Sequence, residues 1–98
     1  MMIPTGRTPT TPGEILKEEY LTPLSLTQEQ LAKHIGVSRI TINKIINAKQ
    51  GVTPDIALRL ATFFNTTPEF WLNLQLVVDL YLAHLRHQDQ YNHIKPYS

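Results

Sequence analysis

Apolar residues recur along this chain at spacings of three and four, in short blocks separated by polar breaks. Thr11-Pro12-Gly13-Glu14 supplies an N-cap, a proline at the first helical position and an acid at N3. A first helix is therefore predicted from Pro12 to about Tyr20 or Leu21, with Ile15 and Leu16 on its apolar edge and Thr22-Pro23 as its stop. Thr27 to Gln30 reads as a capping box, with Leu26 and Leu31 as a hydrophobic staple. The second helix then covers Gln28 to Ile35 and buries Leu31, Ala32 and Ile35. Gly36 suits the left-handed position past its end. Ser38 caps a third helix from Arg39 to about Asn47, where Val37 and Ile42 repeat the staple and Ile42, Ile45 and Ile46 form the buried side. Thr53-Pro54-Asp55 opens a fourth, with Ile56, Ala57, Leu60, Ala61 and Phe64 inward and Asn65 closing it. Thr67-Pro68-Glu69 opens a fifth, and no strand-like alternation appears anywhere. The expected fold is all-α with five helices.

The fifth helix is apolar on too many sides for a small domain. Eleven large apolar residues lie between Phe70 and Leu85. Phe70, Leu74, Val77 and Tyr81 form one stripe; Leu72, Leu76 and Leu80 lie elsewhere, with Trp71 and Val78 nearby. One stripe is expected to pack on the domain and another to pair with a second subunit, with Phe70, Trp71, Leu74, Val77, Val78 and Tyr81 as dimerisation candidates. The other reading is a long helix enclosed by its own domain. Residues 1–11, with two prolines, a glycine and four threonines, are expected to form an irregular arm; 12–85 form the domain, and 86–98 a polar tail.

Composition narrows the chemistry. A chain of 98 residues has room for one modest core. The absence of cysteine excludes disulfides, thiolate zinc sites and cysteine nucleophiles. No apolar run reaches membrane-spanning length and the start lacks a signal-peptide pattern, so a cytoplasmic protein is expected. No glycine-rich phosphate loop is present. Glu14, Glu18 and Glu19 read as helix-surface acids, and Ser25 and Ser38 have no identifiable nucleophile partner. His84, His87 and His93 read as surface histidines rather than metal ligands. No enzyme activity, cofactor, metal or small-molecule substrate is expected.

The net charge is only +1, but the window 33–49 holds Lys33, Arg39, Lys44 and Lys49 with no acid between them. The helix pattern gives that cluster a geometry. Two short helices joined by a tight turn make a helix-turn-helix candidate, in which Ser38 caps the second helix and its first turn faces a DNA groove. Arg39 can pair with the O6 and N7 edge of guanine, and Lys44, roughly 100–140° around the helix, can reach base or phosphate. Ile40 can meet a thymine methyl, and Thr41 can touch DNA or bond back to its own helix. Gln28 sits where free backbone N–H groups favour phosphate. Asn43 is either a contact or a neutral surface amide, while Asn47 and Lys49 lie where the chain leaves the helix and can reach phosphates. A solvated cationic face is the plain alternative for each.

These phrases also carry a resemblance. Pro12-Gly13-Glu14-Ile15-Leu16-Lys17-Glu18-Glu19, Leu31-Ala32-Lys33 with Gly36-Val37-Ser38-Arg39, and Thr41 to Asn47 resemble the Cro/C1-type, or XRE-type, helix-turn-helix group. With Ala57-Leu58-Arg59-Leu60-Ala61 and Thr67-Pro68-Glu69-Phe70-Trp71-Leu72-Asn73-Leu74-Gln75, the chain is similar, over roughly residues 10–82, to the HigA-type antitoxins, or VapI family. The resemblance implies a lambda-repressor-like fold and a homodimer on a palindromic operator in its own promoter, hence nucleoid association when bound. It also implies a HigB-type toxin partner, a small mRNA endonuclease. A stand-alone regulator of the same fold is the alternative. Ala48 stands where that family usually has glycine, which implies a slightly longer helix or an altered loop.

Overall fold

The computed structural model describes residues 8–97. Residues 1–7 of the expected arm, and Ser98 of the tail, lie outside the described residues; 8–11 carry no regular secondary structure. Helices follow in the expected order: α1 (Pro12–Ile15), continued by a π-helical segment (Leu16–Leu21), then α2 (Gln28–Ile35), α3 (Arg39–Ile46), α4 (Pro54–Phe64) and α5 (Pro68–Asn92). Among the described residues there is no strand, and the architecture is the all-α, five-helix Cro/C1-type fold.

Local chemistry explains the boundaries. Thr11, Thr27, Ser38, Thr53 and Thr67 each cap the helix that follows, accepting from the backbone N–H three residues on. Thr27 and Gln30 complete a reciprocal capping box, with bonds of 3.0 and 2.9 Å. Gly36 and Asn65 close α2 and α4 in the left-handed conformation.

One element differs from the expectation. The first helix ends where predicted, but its second half widens: Thr22 N–H donates to Lys17 O at 3.0 Å, an i to i−5 bond. Residues five apart lie roughly 140° apart on a regular α-helix. The wider turn brings Leu16 and Leu21 into the same core, 0% and 5% exposed. The fifth helix, α5, continues seven residues beyond Leu85, through Arg86 to Asn92, so the polar tail begins as helix. Charged and amide side chains such as Arg86 and Gln88 are good helix formers and extend a helix already nucleated by the apolar run.

The core is built from Leu16, Leu31, Ile42, Ile45, Leu60 and Trp71, all under 2% exposed. Trp71 corrects an expectation. It is not on a dimer face but wholly inside its own domain, beside Tyr20, Phe64 and Phe70, with its indole N–H donating to Thr66 Oγ1 at 2.9 Å. On a helix apolar nearly all round, periodicity alone does not choose which residue turns inward. Phe64, expected inward, is half-buried against this core.

Gly13 sets how closely α1 meets α3. A Cβ there would meet the Ile45 carbonyl oxygen and come within 2.8 Å of Ile46 Cα, so the two backbones touch where only glycine fits.

Candidate nucleic-acid interface

The helix-turn-helix is α2, the turn 36–38, and α3. Its buried side holds Leu31, Ala32, Ile35, Ile42 and Ile45, with Val37 packed against them at the inside of the turn. That leaves one side of α3 facing out. Arg39, Ile40, Asn43 and Lys44 are exposed there, Ile40 at 68%. The side chains of Arg39 and Lys44 make no hydrogen bond or ion pair with another described residue, and the one ion pair among the described residues is Arg59 with Asp55. The exposed isoleucine is thus flanked by two cations whose side chains have no ion-pair partner among the described residues.

Ser38 and Thr41 are tied together. Ser38 Oγ accepts from Thr41 N–H at 3.1 Å and lies 2.9 Å from Thr41 Oγ1. Ser38 is the cap that starts α3, and Thr41, half-buried, spends its hydroxyl on that cap.

The amides form a chain of bonds that spacing did not reveal. Asn47 Nδ2 donates to the Asn43 carbonyl at 3.0 Å and to Asn43 Oδ1 at 3.2 Å. Asn43 Nδ2 in turn donates to Gln28 Oε1 at 3.1 Å, linking α3 to the first turn of α2. Gln28 spends its oxygen on this run, so its two Nε2 hydrogens, with one of Asn43 Nδ2, are left for an outside acceptor. Three of the candidate contacts are thus one polar unit across both helices.

Past α3, the chain turns sharply. Lys49 N–H donates to Lys44 O at 2.8 Å and Ala48 N–H to Ile45 O at 3.1 Å, the paired bonds of a Schellman motif. Ala48 holds the left-handed position with φ +56°. The alanine therefore does not lengthen the helix: α3 stops at Ile46 and Asn47 is its C-cap. It adopts the turn a glycine would favour, at the steric cost of its Cβ. Lys49 stands exposed on this turn.

Two side chains that sequence reasoning passed over hold the unit in place. Arg59 of α4 donates from Nη1 to Ile35 O at 2.7 Å, a cation on the carbonyl end of α2. Gln75 of α5 accepts from Val52 N–H through Oε1 at 2.9 Å, behind the loop that follows α3. These partners lie 24 and 23 residues apart in sequence, beyond any local signal. A cavity of about 470 Å³ is lined by His34, Ile35, Leu58, Arg59, Thr62 and Phe63, and none of the candidate DNA contacts lines it.

The remaining dimerisation candidates sit on α5. Phe70 is 38% exposed, and Leu74, Val77, Val78 and Tyr81 are half-buried; Leu76 and Leu85 nearby are 42% and 56% exposed. No helix among the described residues is long and apolar enough to cross a membrane. Among them, no group of three or more His, Asp or Glu side chains is placed to hold a metal ion.

An exposed cationic face on a capped helix of this fold defines the class as a helix-turn-helix protein. The family described as Helix-turn-helix matches residues 16–71. An HTH-type transcriptional regulator of Haemophilus influenzae is 48% identical over 92 residues, covering 92% of this chain and 86% of that one. Antitoxin HigA-1 of Vibrio cholerae is 43% identical over 93 residues, covering 94% and 87%. Among solved structures, Pseudomonas aeruginosa antitoxin HigA with the higBA promoter superposes with a TM-score of 0.87 at 35% identity, over 92% of this chain and 99% of that one. The chain belongs to the HigA-like antitoxins of the XRE helix-turn-helix family. The family is one of DNA-binding regulators and antitoxins, not of catalysts.

Proposed function

We propose that this chain is an antitoxin that binds a palindromic operator at its own promoter as a homodimer, represses its operon, and neutralises a co-encoded HigB-type endonuclease toxin. The observation that carries the DNA half is the exposed side of α3, where the Arg39 and Lys44 side chains, beside Ile40, have no hydrogen-bond or ion-pair partner among the described residues. In this reading Arg39 reads guanine, Ile40 packs on a thymine methyl, and Lys44 meets base or phosphate. Gln28, held by Asn43 and Asn47, donates to a phosphate beside the N-terminus of α2. Ser38 and Thr41 fix the first turn that enters the groove, and Lys49 reaches backbone phosphate from the loop.

The homodimer uses α5. At 25 residues, and roughly 37 Å at 1.5 Å per residue, this helix is longer than the 23 × 21 Å cross-section of the molecule. Phe70, Leu74, Val77, Val78 and Tyr81 supply an apolar strip that a second copy would cover. Two-fold pairing would set the two α3 helices about 34 Å apart, one turn of DNA. The protein acts in the cytoplasm, at the nucleoid when bound to its operator.

Recovery of the tagged chain from its native host, followed by mass spectrometry of co-purifying chains, tests the toxin half. A stoichiometric small partner encoded next to this gene is expected. A chain recovered alone, as a DNA-binding dimer while its operon is expressed, would make it a stand-alone regulator.

A further inference from the structure

The loop after α3 is fastened on both sides of Lys49. On the near side, the Lys49 N–H is bonded to the last turn of α3 at Lys44 O. On the far side, the N–H of Val52, itself 5% exposed, is bonded to Gln75 Oε1 of α5. Only Gln50 and Gly51 lie between the two anchors. Gln75 is itself held, because its Nε2 donates to Asp79 Oδ1 at 2.9 Å, one helical turn on. That bond fixes which way the amide faces, so the oxygen is aimed at the loop. The fit is close: a Cβ on Gly51 would come within 3.1–3.2 Å of the Gln75 amide atoms. The lysine itself is exposed, with no described side chain to hold it.

We infer that Gln75 is a positioning residue for DNA binding: from α5 it clamps the loop so that Lys49 is presented to phosphate. This rests on the reading of Lys49 as a phosphate contact. Gln75 touches no DNA; its effect is to order the loop before binding, so that the ordering cost is not met at the moment of association. Loss of the clamp therefore weakens a contact that carries no sequence information, on any duplex alike.

The test is DNA affinity of the full-length chain at several salt concentrations, on promoter and scrambled duplexes. The chains compared are the unaltered one, Lys49→Ala, Gln75→Met and the double variant. Gln75→Met removes the acceptor and keeps the length. It is expected to weaken both duplexes by about 3- to 10-fold, the range for freeing one ordered side chain. The salt slope should fall towards that of Lys49→Ala, which loses about 0.9 per chain for one phosphate contact. In the Gln75→Met background, Lys49→Ala should cost less than it does alone.

Two further chains separate positioning from folding. The charge-conserving swap Gln75→Glu with Asp79→Asn keeps an acceptor for Val52 and a donor between the two side chains, so it should restore the slope. Gly51→Ala crowds the Gln75 amide without altering α5, so it should lower the slope even if Gln75→Met fails to fold. Equal cost of Lys49→Ala in both backgrounds overturns the inference, as does an unchanged slope for Lys49→Ala alone. Failure of the unaltered chain to bind any duplex would instead sink the DNA-binding reading, and the inference with it.

Discussion

Asn43 of α3 donates to Gln28 Oε1 of α2 at 3.1 Å, so the two helices of the helix-turn-helix are joined on their exposed side as well as through their core. Asn47 completes the run by donating to Asn43. Because these bonds are exposed to water, they add little to fold stability. In the proposed interface they hold the Gln28 amide by its oxygen and leave its donors for phosphate. Gln28→Ala and Asn43→Ala should each weaken promoter binding, and the pair should cost less than the sum, with a coupling of about 0.5–1.5 kcal/mol. Each single variant should stay within about 0.5 kcal/mol of the parent in urea unfolding. Additive losses in a DNA titration would show that the two amides act separately.

Arg59 holds the other end of α2. Its guanidinium bonds the Ile35 carbonyl at 2.7 Å and pairs with Asp55 at 2.9 Å, and the two contacts are unequal. The carbonyl contact is part-buried, whereas the pair with Asp55 is 40% and 69% exposed and screened by water. Arg59→Leu should therefore lower unfolding stability by about 1–2 kcal/mol, and Asp55→Asn by about 0.5 kcal/mol or less. Equal losses in urea titrations of the two variants would mean the carbonyl contact contributes nothing.

Gly13 is where α1 and α3 meet backbone to backbone. The atoms a Cβ would strike belong to the main chain of Ile45 and Ile46, which cannot swing aside. Gly13→Ala should destabilise by about 1–3 kcal/mol, a drop in Tm of several degrees for a domain of this size. Glu18→Ala, exposed on the π-helical segment, should change Tm little. A Gly13→Ala chain that melts with the parent would contradict the close approach.

Ala48 makes the opposite prediction. It sits at φ +56°, where its Cβ costs about 1–2 kcal/mol, partly offset because glycine gives the unfolded chain more freedom. Ala48→Gly should raise stability by about 0.5–1 kcal/mol in thermal or urea unfolding. A loss of stability would show that the left-handed turn is not held in solution.

Much of this fold was legible because its helix boundaries are local chemistry. Thr27 with Gln30, Ser38, Thr53-Pro54 and Thr67-Pro68 each announce a helix within four residues, and Gly36 announces a stop. The exposed face of α3 followed from those caps and from the isoleucine spacing, and the structure puts Arg39, Ile40, Asn43 and Lys44 on it together. What was not legible depends on contacts across the fold. Trp71 is drawn inward by Tyr20 and Phe64, which no window on α5 contains. The need for glycine at 13 comes from Ile45, and the roles of Arg59 and Gln75 come from carbonyl and amide groups more than twenty residues away. The π-helical turn answers to where Leu16 and Leu21 must both land, which is a property of the core rather than of the segment.

In the proposed function the exposed face of α3 reads DNA as part of a two-fold pair. The most direct measurement is binding of the full-length chain to the duplex upstream of its own gene, against a scrambled duplex, with stoichiometry from sedimentation and Arg39→Ala alongside. Two chains per duplex and a preference of at least about 10³-fold for the promoter are expected. Arg39→Ala should cost roughly 1–3 kcal/mol of that discrimination. Equal affinity for both duplexes, or a discrimination unchanged by Arg39→Ala, would contradict it.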